Sequence, residues 1–205
     1  MEDIINTLIN GFSLGGVYAL IALGYTMVYG IAKMLNFAHG DIIMVGGYAI
    51  YVFLGVTGHP IAAAAFAAVM CVILGVVMEK LAYKPLRGAS PLAVLITAIG
   101  VSYLLQSLSQ IIFGSDPKTV IVADLGVTKI GGVSISNSSI LTLIFTVVIM
   151  AALTLFIKFS RTGRAMLAVS EDRAAAQLMG VNVNGIITMT FVIGAFLAAV
   201  ASLFY

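Results

Sequence analysis

Few side chains in this sequence could perform chemistry, and those present do not form a catalytic arrangement. The chain holds no G-x-x-x-x-G-K-[ST] phosphate loop and no H-E-x-x-H zinc motif. Its histidines, His39 and His59, are not spaced as a metal pair. The sequence therefore predicts no enzyme, no cofactor and no metal site. Any nucleotide hydrolysis that drives this protein must be carried out by another polypeptide.

The densest group of polar residues interrupts the apolar pattern near residue 36. The apolar run after it, 41–55, covers only about 22 Å as a helix, which is short for a hydrocarbon core of roughly 30 Å. A shortened, glycine-interrupted segment indicates a substrate site in transporters. We therefore expect the following helix to begin below the membrane surface, beside the solute path. The residues expected there are Asn36, His39, Gly40 and Asp41.

Two of these side chains also have a structural interpretation. An acidic residue such as Asp41 at the start of a helix stabilises the helix through the positive end of its dipole, whatever the protein does. His39 could simply hydrogen-bond to a neighbouring carbonyl. A second polar group, Gln106 and Gln110 with nearby serines, recurs at helical spacing in a later apolar run. These glutamines could line an aqueous path or hydrogen-bond to a neighbouring helix.

The composition indicates what kind of helices must position these residues. The chain is 61% hydrophobic and 9% charged, with a mean hydropathy of +1.16. Such a chain is typical of a polytopic membrane protein rather than a soluble domain. The single cysteine, Cys71, excludes a disulfide framework within one chain. The fold class predicted is all-α, a transmembrane helical bundle of about six spans, with apolar runs at 4–30, 41–55, 61–78, 91–113, 139–157 and 186–205.

The basic residues predict the orientation of these spans. Alternating spans place eight of the ten lysines and arginines on one side and leave Lys118 and Lys129 on the other. The positive-inside rule makes the larger group cytoplasmic, so the N-terminus should be extracytoplasmic. The charged segment 79–87 is then predicted to be a basic cytoplasmic loop, and the long polar segment Gly114–Ser138 is predicted to be external. Within it, 119–123 and 133–136 resemble strands that Gly131-Gly132 could turn into a hairpin. A compact lid and a flexible loop both fit this segment.

A second polar island, 161–184, separates the last two apolar runs and carries helix signals. Ser170 is expected to cap a short helix, with Glu171 and Asp172 in its first turn and Gly180 just past its end. Ala174, Leu178 and Val181 would share one face of that helix. A helix so short needs packing to persist, and either the membrane or another protein could receive this face.

The motifs of this chain resemble those of the permease subunits of bacterial branched-chain amino acid ABC importers. The resemblance rests on Ala19-Leu-Ile-Ala-Leu-Gly24, Tyr29-Gly30 and above all Asn36-Phe-Ala-His-Gly-Asp41. It continues through Arg161-Thr-Gly-Arg-Ala165, Glu171-Asp172, Leu178-Met-Gly-Val-Asn182, Thr190-Phe191 and Gly194. Urea importer permeases are similar, so the resemblance leaves the solute open.

The resemblance implies a membrane-spanning translocation subunit in the bacterial inner membrane. It implies ATPase subunits, a second permease subunit and an extracytoplasmic solute-binding protein as partners, beside the lipid bilayer and without nucleic acid. The cytoplasmic island would be the coupling segment that docks the ATPase, through Arg164, Glu171, Asp172, Ala174, Leu178 and Gly180. Permeases of this kind continue with further helices, so residues 1–205 are expected to be one transmembrane domain that is incomplete at its C-terminus. The alternative function is a self-sufficient channel or secondary transporter for a small neutral solute.

Overall fold

The computed structural model describes residues 2–120, 126–130 and 133–205, which form eight α-helices and one β-hairpin. A π-helical turn, Glu79–Tyr83, and a 3-10 turn, Lys84–Leu86, continue directly from α3. The helices are α1 Glu2–Ala32, α2 His39–Thr57, α3 Pro60–Met78, α4 Pro91–Phe113, α5 Asn137–Phe159, α6 Arg161–Glu171, α7 Arg173–Leu178 and α8 Val183–Phe204.

Six of the helices in the described ranges are long and apolar enough to cross a membrane, namely α1 to α5 and α8. This confirms the predicted all-α membrane bundle of about six spans. The remaining two helices, α6 and α7, lie between the fifth and sixth spans, where the polar island was found.

Helix α8 lies at the centre of the bundle and packs against α1, α2 and α3. Small residues allow these helices to approach closely, as is usual where lipid supplies no hydrophobic force between them. At the crossing of α1 and α8, a Cβ atom added to Gly24 would lie 3.3 Å from the carbonyl oxygen of Gly194. Phe191 and Ala195 of α8 are fully buried beside this crossing.

Most spans differ from their predicted bounds by two or three residues at an end, and two of the differences affect the candidate site. The second span begins at His39 rather than Asp41 and has 19 residues instead of fifteen, so it is long enough to cross about 28 Å. The segment predicted as a basic loop, 79–87, is helical through Leu86. The charged residues there were mistaken for a loop signal, although two of their side chains are partnered inside the protein.

The segment predicted to be external, called here the external segment, contains the predicted hairpin with a different first strand. Strand β1, Val127–Ile130, pairs antiparallel with β2, Val133–Ser136, in the register Val127↔Ser136. The second strand was predicted correctly. The first was placed at 119–123, but Thr119 and Val120 form no regular structure, and the rest of that stretch lies outside the described residues, as do the two glycines expected to make the turn.

The cytoplasmic island folds as two helices, and not as one helix capped by Ser170. Helix α6 continues through Ser170 to Glu171, and Asp172 caps α7 by accepting hydrogen bonds from the N–H groups of Ala174 and Ala175 at 2.8 and 3.1 Å. Gly180 ends α7 as expected. Its φ of +84° is the left-handed conformation that glycine adopts without strain, and it completes a Schellman motif in which the Val181 N–H bonds to the Ala176 carbonyl at 3.0 Å.

Candidate functional site

The start of α2 is held by a contact that is distant in sequence. Asn36 is 1% exposed, and its Oδ1 accepts a 2.8 Å hydrogen bond from the hydroxyl of Tyr83 in the π turn. The Asn36 carbonyl in turn accepts from the His39 N–H at 3.1 Å, and the Ala38 carbonyl accepts from the Asp41 N–H at 3.2 Å. These bonds fix the point at which the chain turns into α2.

The His39 side chain is inserted between α1 and α2. Its ring lies against Gly24, where a Cβ atom would come within 2.9 Å of Nε2, so only glycine leaves room for it. The ring also makes an edge contact with Tyr25, at 6.2 Å between centroids. His39 Nε2 and Asn36 Nδ2 have no hydrogen-bond partner among the described residues.

Two connected clefts run along the α1–α2 side of the bundle. The first, about 350 Å³, is called here the polar cleft after Asn36 and His39, which border it, although most of its surface is apolar. The second, about 780 Å³, is called the tyrosine cleft. Both have volumes typical of small-molecule sites. The polar cleft is lined by residues that include Tyr18, Ile21, Tyr25, Asn36, His39 and Gly40. The tyrosine cleft shares Tyr18, Ile21 and Gly40 with it and continues past Tyr48 and Tyr51 to Lys118 in the external segment.

Only three of the six residues predicted for the solute path line these clefts, namely Asn36, His39 and Gly40. Asp41 is buried on another face of α2, where its Oδ1 accepts a 3.0 Å hydrogen bond from Gln106 Nε2. Gln106 also donates to Ser102 at 3.0 Å. Of the two interpretations of Gln106, a hydrogen bond between neighbouring helices therefore fits the structure better than the lining of an aqueous path. Gln110 is exposed on α4.

A buried ion pair that joins the π turn to α8 was missed by the sequence analysis. Glu79 is 0% exposed and forms a salt bridge with Arg87. Its second oxygen accepts from Thr188 of α8 at 3.0 Å, and Arg87 also donates to Asn184 of α8. The pair therefore joins the π turn to the first turns of α8. An acidic residue directly after an apolar run, followed by an arginine, was the available signal.

Helices α6 and α7 are called here the cytoplasmic arm, after the side that the basic residues predict for them. They are fastened to the end of α1. Arg173 donates to the carbonyl of Ala32, and to that of Ile31 at 3.4 Å. These carbonyls belong to the last turn of α1, where helix carbonyls lack intrahelical partners. Partial burial and the nearby charge of Arg87 both lower the pKa of the Arg173 guanidinium from its ordinary value.

An apolar cluster supports the same junction. Met166, Val169 and Ala176 of the arm are buried against Met27 and Ile31 of α1. Val181 packs against this cluster as well, although it was predicted to share an outward face with Ala174 and Leu178. Gly180 breaks the helix before Val181, and the chain then turns inward.

The opposite side of the arm is uncovered. Leu178 is 89% exposed and Met179 84% exposed, which is unusual for large apolar side chains unless they meet a partner or lipid. The residues predicted to dock an ATPase, namely Arg164, Glu171, Asp172, Ala174, Leu178 and Gly180, are all exposed. Exposure makes them available for docking, and their docking role stays a prediction.

One stretch of α1 has the spacing of a catalytic motif but not its geometry. Residues Gly11-Phe-Ser-Leu-Gly15 have the spacing of a G-x-S-x-G nucleophile turn. They lie inside α1, whereas that chemistry requires a sharp strand-to-helix turn. Within the described ranges, no group of three or more His, Cys, Asp or Glu side chains could hold a metal ion.

Its six long apolar helices define the chain as a multi-pass membrane protein. The cytoplasmic arm is fastened to the bundle on one side and exposed on the other. Residues 7–205 match the family described as the permease component of branched-chain amino acid transport systems. The chain belongs to this family, which is a family of transport permeases and not of enzymes.

Individual relatives agree with this assignment. The chain is 44% identical over 211 residues to the high-affinity branched-chain amino acid transport system permease protein BraD of Pseudomonas aeruginosa, covering 95% of this chain and 68% of the relative. It is 42% identical over 206 residues to the permease protein LivH of Escherichia coli K12, covering 94% and 67%. A probable LivH of Methanocaldococcus jannaschii is 30% identical over 195 residues, covering 89% and 60%. No solved structure matches the chain significantly.

Proposed function

We propose that this chain is the membrane-spanning translocation subunit of an ATP-driven importer for branched-chain amino acids, located in the bacterial inner membrane. The observation that carries the proposal is family membership over residues 7–205. The connected clefts support it, because they extend from the start of α2 to Lys118 in the external segment. The solute would follow these clefts, past Asn36, His39 and Gly40.

The partners follow from the same family. Because no phosphate-loop motif occurs in the sequence, ATPase subunits must supply the hydrolysis. They would dock on the exposed side of the cytoplasmic arm, at Ala174 and Leu178. A second permease subunit would cover the open side of the clefts, and an extracytoplasmic solute-binding protein would deliver the solute to the external segment. The N-terminus would be extracytoplasmic, as the distribution of basic residues indicates.

Reconstitution tests this proposal. The full-length chain would be placed in liposomes with its ATPase and second permease subunits, with solute-binding protein present on the outer side. We expect uptake of labelled leucine, isoleucine and valine that requires ATP inside. A catalytically inactive ATPase variant is the matched control and should abolish uptake. Uptake that persists with the inactive ATPase would favour the alternative, a self-sufficient channel or secondary transporter.

A further inference from the structure

We propose that the polar cleft binds the carboxylate of the transported solute at the first turn of α2, with the Asn36 side-chain amide and the Gly40 N–H as hydrogen-bond donors. This inference rests on the proposed transport function and deepens it, because it names the chemical group that the permease itself recognises. It requires a solute with an anionic end and an aliphatic body, which an α-amino acid has and urea lacks.

The first turn of α2 provides a partly unsatisfied helix N-terminus inside the protein. The N–H groups of His39, Asp41 and Ile42 bond to carbonyls of residues 36 and 38, at 3.1 to 3.3 Å. The Gly40 N–H has no such bond to any residue in the described ranges. Free N–H groups and the positive end of the helix dipole together favour an anion. Gly40 lines both clefts, and a Cβ atom there would meet nothing within 4 Å, so a ligand can approach its backbone.

Asn36 is the second, independent feature of the site. Its side chain is 99% buried and lines the polar cleft. The hydrogen bond from Tyr83 occupies Oδ1 and so fixes the orientation of the amide. Nδ2 is left with no partner among the described residues. A buried donor without a partner is costly, which points to a group that completes it. A carboxylate oxygen is a strong acceptor for such a donor.

The surroundings of the first turn suit a carboxylate that carries an aliphatic chain. The one acidic side chain in this turn, Asp41, does not line the cleft, because it faces α4 and is bonded to Gln106. Ile21 and Tyr18 form apolar walls at the junction of the two clefts, where the body of the solute would lie. Small-molecule sites usually combine a few polar groups, which hold the polar end of the ligand, with apolar walls around the rest of the ligand.

A labelling experiment on the full-length chain within its complete transporter tests the site without relying on the solute-binding protein. Ala22 is exposed, lines the polar cleft and would carry the reporter, as Ala22→Cys in a Cys71→Ser background. Serine at position 71 keeps a donor toward the Ile42 carbonyl, which Cys71 now bonds at 3.4 Å. The rate of modification by a small thiol reagent is measured with and without solute. Leucine and 4-methylpentanoate, which share the carboxylate and the chain, should each slow labelling several-fold. 3-Methylbutylamine and urea, which lack a carboxylate, should leave the rate unchanged.

The variant Asn36→Asp tests the proposed donor directly. The substitution is isosteric and keeps an acceptor for Tyr83, but it replaces the amide donor with a group that carries negative charge. It should abolish protection by leucine and 4-methylpentanoate. Asn10→Asp, which makes the same change at an exposed position on α1, is the matched control and should preserve protection.

The outcomes separate this inference from the proposed function. Protection by the amine and not by the acid would overturn the carboxylate site, and so would an absence of protection in a preparation that takes up leucine. Protection by 4-methylpentanoate in a preparation that does not take up branched-chain amino acids would support the carboxylate site while refuting the proposed transport. The comparison of solutes does not depend on any substitution at Asn36, so misfolding of Asn36→Asp would leave the test decisive.

Discussion

Asp172 determines where the cytoplasmic arm bends. It has an extended backbone, with φ −147° and ψ 114°, between the last residue of α6 and the first of α7. Its carboxylate binds two N–H groups of the first turn of α7. Because α7 has only six residues, this cap and the Schellman motif at Gly180 supply much of its local stability.

Asp172→Ala should therefore loosen α7. Loss of an N-cap costs roughly 0.5 to 2 kcal/mol, so amide hydrogen exchange in residues 173–178 should accelerate measurably in the purified protein. Ser170→Ala is the control, because the Ser170 hydroxyl only donates to the Leu167 carbonyl inside α6, at 2.7 Å. A larger effect of Ser170→Ala than of Asp172→Ala would contradict the structure and restore the cap that the sequence predicted.

The residues that the sequence failed to place share one physical feature. Asn36 and Glu79 each make a hydrogen bond to a residue on a distant element. The sequence marked Asn36 as unusual, but Tyr83, which holds it, lies 47 positions away. Glu79 was read as part of a loop because its contacts with Arg87 and Thr188 arise only when the π turn meets α8. Tertiary contacts of this kind leave no local pattern.

At the scale of elements, the arm has one fastened side and one free side. Arg173 and the buried apolar cluster hold α7 to the end of α1, which leads directly into the segment that positions Asn36. Leu178 and Met179 remain outside this junction. A protein that binds the free side would therefore contact an element that is fastened to the end of α1, close to the start of the proposed solute path.

Leu178→Asp should abolish co-purification of the ATPase subunit while the permease remains inserted in the membrane. The physical reason is that an apolar docking contact would become a desolvated charge without a partner. Ala174→Asp should act in the same direction, since Ala174 is exposed on the same helix. Leu92→Asp is the matched control, because Leu92 is also exposed but lies in the first turn of α4 and not in the arm. Full recovery of the ATPase with Leu178→Asp would show that docking occurs elsewhere.

Element boundaries were predictable where local chemistry decides them. The bounds of α4, Pro91–Phe113, were predicted at both ends, because Ser90 caps it, Pro91 occupies its first turn and Gly114 follows it. The start of α2 was placed two residues late. Its first residue, His39, is polar, and its ring fits there only because Gly24 of α1 has no side chain. Periodicity also placed Gln106 and Gln110 together, yet only Gln106 meets another helix.

At the scale of the whole molecule, tertiary contacts bring the basic segments to one end. Arg173 reaches the last turn of α1, and Arg87 reaches Asn184 in the first turn of α8. Lys118 lies at the tyrosine cleft beside Tyr205, the last residue after α8, which is at the opposite end of that helix. This separation agrees with the alternation of spans from which the sequence predicted the orientation.

The orientation itself is open to a direct test with single cysteines in the Cys71→Ser background. Ser115 follows α4 in the external segment, Met179 ends the free side of the arm, and both are exposed. In right-side-out vesicles, Ser115→Cys should react with a membrane-impermeant thiol reagent. Met179→Cys should react only after permeabilisation, because a segment flanked by arginines is retained in the cytoplasm. Lys80→Cys, exposed at the same end as the arm, should behave like Met179→Cys, and labelling of either one in intact vesicles would reverse the proposed orientation.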